Sequence, residues 1–106
     1  MYEEVFQSVK KWLYNVAEEY ITDLKMEIEE TQDSLLCSID TARYVGELNV
    51  SRSDFCPYRY VEFYVLDVNK DSMQQPAFVF QDNENDTISD IIYNLDEGIK
   101  FIVSES

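Results

Sequence analysis

Tyr58-Arg59-Tyr60-Val61-Glu62-Phe63-Tyr64-Val65-Leu66-Asp67-Val68 is the stretch on which the fold turns. It is almost wholly aromatic and β-branched, the residue types that suit a pleated surface, and neither Gly nor Pro interrupts it. Side chains alternate along a strand. One face therefore carries Arg59, Val61, Phe63, Val65 and Asp67, and the other Tyr58, Tyr60, Glu62, Tyr64 and Leu66. The first face reads as core and the second as an outward surface rich in Tyr.

Strands flank this one on both sides. Leu35, Cys37 and Ile39 alternate with Ser34, Ser38 and Asp40, which predicts a short half-buried strand. Tyr44, Gly46, Leu48 and Val50 alternate with Arg43, Val45, Glu47 and Asn49 in a second, and Ser51 to Pro57 supplies turn chemistry. Beyond the central stretch, 69–75 is a polar loop. Ala77 to Gln81 then forms a fourth strand behind Pro76, a position that proline tolerates.

Helical periodicity marks both ends of the chain. From Tyr2 to about Glu30 the apolar residues Val5, Phe6, Val9, Trp12, Leu13, Val16, Tyr20, Ile21, Leu24 and Ile28 fall three or four apart, which predicts one long helix. The Glu27, Glu29, Glu30 group then reads as its solvated end. Ile88, Ile91, Ile92, Leu95, Ile99, Ile102 and Val103 predict a last helix, with Thr87 and Asp90 placed as a capping box. The expected architecture is α+β in the order α-β-β-β-β-α. It is a four-stranded antiparallel meander in one domain, 1–106, with both helices packed on one face.

Charge narrows the function. There are 22 Asp and Glu against 8 Lys and Arg, no His, and a net charge of -14. Such a field favours a basic protein partner and repels nucleic acid and anionic membrane. The lack of His removes the commonest general base and the commonest metal ligand. Cys37 and Cys56, without CxxC spacing, do not assemble a zinc site. Cys37 reads as a buried thiol and Cys56 as a turn residue before Pro57; a disulfide between them stays open, though no secretory context supports it. The pattern Asp67-x-Asn69-x-Asp71 opens like a calcium loop but has Ser72 where Gly is needed and Phe78 where the bidentate Glu belongs. No glycine-rich phosphate loop or cofactor fingerprint is present. The expectation is a non-enzymatic protein with no cofactor and no metal.

Candidate binding residues come from two places. Glu47, Tyr60, Glu62 and Tyr64 lie on outward strand faces, where Tyr offers large contact area and Glu suits a basic partner, or where Tyr serves cross-strand packing on a solvated sheet. Asp82, Glu84 and Asp86 form an acidic loop that suits electrostatic steering, a hard cation or plain solvation at a helix N-terminus. The start Met1-Tyr2-Glu3-Glu4 is acidic where a signal peptide needs positive charge, and no apolar run nears the roughly 18 residues of a membrane span. A cytoplasmic location is expected. An open sheet edge allows either a monomer or a homodimer.

The segments Arg43-Tyr44-Val45-Gly46-Glu47-Leu48-Asn49-Val50 and Tyr60-Val61-Glu62-Phe63-Tyr64-Val65-Leu66-Asp67-Val68, with the opening helix bearing Trp12 and the isoleucine-rich final helix, carry a resemblance. In length, acidity and element order the chain resembles small acidic immunity proteins of bacterial polymorphic-toxin systems, of the TriTu-like group. The resemblance implies an inhibitor that binds and neutralises a cognate toxin domain. Many such toxins are basic nucleases, whose phosphate-binding cleft an acidic protein can occupy. The alternative is an acidic adaptor, chaperone or nucleic-acid mimic that acts on another basic partner.

Overall fold

The computed structural model describes residues 1–52, 59–69 and 75–105. The elements run α1 (Tyr2–Glu19), β1 (Lys25–Glu30), β2 (Leu35–Asp40), β3 (Tyr44–Val50), β4 (Val61–Asp67), β5 (Phe78–Gln81) and α2 (Ile88–Glu105). The strands form one antiparallel sheet in the order β1-β2-β3-β4-β5. Both helices bury their stripes against the same face. The fold is α+β with five strands, not the four expected.

The extra strand comes from the end of the expected long helix. α1 stops at Glu19, its last turn closed by Tyr20 N–H donating to the Val16 carbonyl. The chain then turns through Ile21, which is 75 % exposed rather than part of a buried stripe. Lys25 to Glu30 pairs with β2 along its whole length, from Lys25 opposite Asp40 to Glu30 opposite Leu35. Met26 and Ile28 face the core while Lys25, Glu27 and Glu29 face out. The spacing of Leu24 and Ile28 satisfies a helix, and that of Met26 and Ile28 satisfies a strand. Pairing decides between them, because β2 would otherwise be left with an open edge beside its buried Leu35, Cys37 and Ile39. The acidic group is accordingly divided between faces. Glu27 and Glu29 point outward, and Glu30 lies under α1, 2.7 Å from Lys10 Nζ.

The central strand alternates as its sequence predicts, with Val61, Phe63, Val65 and Asp67 buried and Glu62, Tyr64 and Leu66 half-buried. It begins at Val61; Tyr58 and Cys56 lie outside the described residues. The core joins Val5, Phe6, Val9, Leu13 and Val16 of α1 to Ile91, Leu95, Ile99 and Ile102 of α2 across the inner sheet face. Trp12 Nε1 donates to Asp96 Oδ1 at 2.7 Å and ties the helices together. The Tyr2 hydroxyl donates to the Asp33 carbonyl, which holds the start of α1 over the β1–β2 turn.

Gly98 sets how closely α2 approaches the sheet. A β-carbon there would stand 2.5 Å from Phe63 Cε2 and 2.8 Å from Phe78 Cε1. The capping box closes as expected, Thr87 N–H donating to Asp90 Oδ2 at 3.0 Å and Asp90 N–H to Thr87 Oγ1 at 3.1 Å. Among the described residues no helix is long and apolar enough to cross a membrane.

Candidate functional site

Because both helices sit on one side, the other face of the sheet has no covering layer among the described residues. Strand register lays its side chains out in rows. One row runs Lys25, Asp40, Val45, Leu66. The next runs Glu27, Ser38, Glu47, Tyr64, Val79, and the third Glu29, Leu36, Asn49, Glu62, Gln81. Val45, Leu66, Tyr64 and Val79 form an apolar band across β3, β4 and β5. Glu47 and Glu62 flank Tyr64 and Asp40 stands opposite Val45, while Glu27 and Glu29 lie farther off on β1, with Lys25 the one cation on this face within the strands.

Tyr64 is the centre of that surface. It stands opposite Glu47 on β3 and opposite Val79 on β5. Partial burial raises its phenol above the ordinary range, and the Glu47 and Glu62 carboxylates add to the effect. Glu62 Oε2 accepts a 2.7 Å hydrogen bond from Gln81 Nε2, which orders the carboxylate at the β5 side. Three of the four residues expected on this surface, Glu47, Glu62 and Tyr64, are thus brought together.

Tyr60 is not with them. Residues 59 and 60 form a bend before β4, and the Tyr60 ring packs edge-on against Tyr2 of α1 at 5.0 Å. Strict alternation put Tyr60 outward, but the bend releases it from the pleat and the aromatic contact draws it to the helix side.

The acidic loop also divides. Asp82 is only 2 % exposed, and its Oδ1 accepts backbone N–H groups from Arg59 at 3.1 Å, Tyr60 at 2.8 Å and Val61 at 2.8 Å. That carboxylate fastens the bend before β4 and is closed to a partner, which corrects its expected steering role. Asp86 holds the following turn by accepting from Asn83 N–H at 2.9 Å. Glu84 is exposed and makes no hydrogen bond or ion pair among the described residues. Glu84 and Asp86 rim a concavity of about 430 Å³ with Glu4, floored by Val5, Ile88 and Ile91. It lies on the helix side, away from the Tyr64 surface.

The remaining chemical candidates are engaged structurally. Asp67 meets Arg43 Nε at 3.2 Å through Oδ2 and accepts Asn69 N–H at 2.9 Å through Oδ1. Asp71, the third member of its calcium-like pattern, lies outside the described residues, and no acidic, Cys or His group among the described residues is arranged to hold a metal. The Cys37 thiol is buried and pushed up to about 12, which keeps it neutral and unreactive.

Sequence reasoning missed Glu27, Glu29 and Asp40 as parts of the open face, because it placed the first two on a helix. The signal was present in the alternation Lys25-Met26-Glu27-Ile28-Glu29. Comparison with protein-family models, with curated proteins and with solved structures returns no match.

Proposed function

We propose that this protein is a non-enzymatic inhibitor that binds a basic protein on the open face of its sheet. The class that fits best is a cytoplasmic immunity protein that neutralises a toxin domain. The observation that carries the proposal is the composition of that face, an apolar band centred on Tyr64 with Glu47 and Glu62 beside it and Asp40, Glu27 and Glu29 toward the β1 side. The band supplies area that a partner can dehydrate, with little rotamer entropy to lose at Tyr. The carboxylates supply attraction that speeds encounter and rejects acidic competitors. The engagement of Asp67 by Arg43 and Asn69, and of Asp82 Oδ1 by three backbone N–H groups, supports a binding role over an acid-base one.

The test is capture of partners by the tagged protein from a lysate of its source cell, washed at low and high salt. The expected result is one basic toxin fragment that survives high salt. In the purified complex, Tyr64→Ala should weaken binding about 10-fold or more, and Glu62→Lys should slow association. Unchanged affinity in both variants removes the sheet face from the proposal. Capture of a host nucleic-acid-binding protein instead would replace the immunity reading with a nucleic-acid mimic.

A further inference from the structure

The two edges of the sheet are unlike. β1 carries Lys25, Glu27, Glu29 and Glu30, a density of charge that discourages another strand from adding there. β5 is Phe78-Val79-Phe80-Gln81 and carries no charge at all. Val79 is 55 % exposed, while Phe78 and Phe80 are half-buried at the margin of the core.

The register fixes which backbone groups of β5 are free. Asp82 N–H donates to the Val61 carbonyl, so the hydrogen-bonded pairs of this ladder continue at Phe63 with Phe80 and at Val65 with Phe78. The N–H and C=O of Val79 and Gln81 therefore point away from β4. Among the described residues nothing pairs with them. Bare edge groups of this kind are a template for an incoming strand.

We propose that β5 receives an extended segment of the basic partner, which adds as a sixth strand and alternates cationic with apolar residues. The occupant follows from what lies on each side of the edge. On the open face, Glu62 is one strand in, directly opposite Gln81, within reach of a lysine or arginine on the added strand. On the inner face, Phe78 and Phe80 present half-covered rings that apolar side chains would close over. A second copy of this chain would bring the apolar rings of its own β5, but it carries no cation there to meet Glu62 and adds another net charge of -14, so repulsion disfavours it. This inference rests on the partner being a basic protein.

The experiment uses the whole protein and a capped eight-residue peptide of alternating Lys and Val, with amide hydrogen exchange followed residue by residue. The expected result is slowed exchange at Val79 and Gln81 on peptide addition. A Glu-Val peptide should not produce it, and Val79→Pro, which has no amide at position 79 to follow, should abolish it at Gln81. That variant removes an outward donor but no bond to β4, and an unchanged melting temperature will show that it folds. Peptide binding without protection at Val79 and Gln81 overturns the inference. Protection that appears with protein concentration alone also overturns it, in favour of a second copy. If the Lys-Val peptide protects the edge but no basic protein is captured from the cell, the edge stands and the proposed function fails; capture without edge protection has the opposite meaning.

Discussion

Asp82 shows how one side chain can shape the molecule without meeting a ligand. Its three backbone donors belong to the residues that bend the chain into β4, and the Val61 N–H among them is buried away from water. Asp82→Ala should therefore destabilise the fold by about 3 kcal/mol, and Asp82→Asn, which keeps a carbonyl acceptor, by less. Urea denaturation of the two variants measures the difference. Gly98 presents the reverse case, in which adding an atom does harm. Gly98→Ala improves helix propensity by about 1 kcal/mol. It also drives a methyl into Phe63, which is fully buried, and into Phe78. The clash should win, with a net loss of about 1–3 kcal/mol in the same measurement. A helix-favouring substitution that destabilises is the signature expected of a close helix–sheet approach.

Among the elements, the junction between α1 and β1 was the least legible. A helix commonly announces its end with Gly or Asn in a left-handed conformation. Here no described residue has positive φ, and the helix passes through Tyr20 into an ordinary turn. Periodicity alone then runs on to Ile28, since a four-residue step is also two steps of alternation. The strands β2, β3 and β4 were legible because alternation there has no helical counterpart. The helix pair is held by a polar contact as well as by packing. Trp12→Phe keeps most of the ring's apolar area but removes the bond from its indole N–H to Asp96. The expected cost is about 1–2 kcal/mol, read from thermal unfolding, and Asp96→Asn should recover none of it in the Trp12→Phe background.

For the whole molecule, alkaline pH is the informative axis, because the buried acids with raised values titrate there. Cys37 is moved by burial from its ordinary 9.0 to about 12. Tyr2 moves from 10.0 to about 12, by burial first and by the Asp33 charge second. For both groups the protonated form is the one the fold prefers. Their stabilisation is complete below the unfolded values and is lost as pH rises through the folded ones. Melting temperature should therefore fall from about pH 9 upward. Cys37→Ala should start lower at neutral pH, where it leaves a small cavity, but decline less steeply above it. Parallel declines in the two proteins would show that the thiol does not govern the limb. The open sheet face belongs to this scale too, since each row draws residues from four or five strands.

Sequence alone determined the class of this molecule. Alternation in Leu35–Ile39, Tyr44–Val50 and Val61–Asp67, helical stripes at both ends and the Thr87–Asp90 box made an antiparallel α+β fold the economical answer. These signals are local, written in neighbours a few residues apart. The charge of -14 likewise needs only composition. Tertiary structure decided the rest, and in each case the reason is a contact between distant residues. Strand pairing with β2 turned Lys25–Glu30 from helix into edge. Hydrogen bonds across 21 to 23 residues took Asp82 out of solvent, and a ring contact with Tyr2 took Tyr60 off the outward face. Register brought Glu27, Glu47, Tyr64 and Val79 into one row, because side chains far apart along the chain become neighbours only when backbones pair.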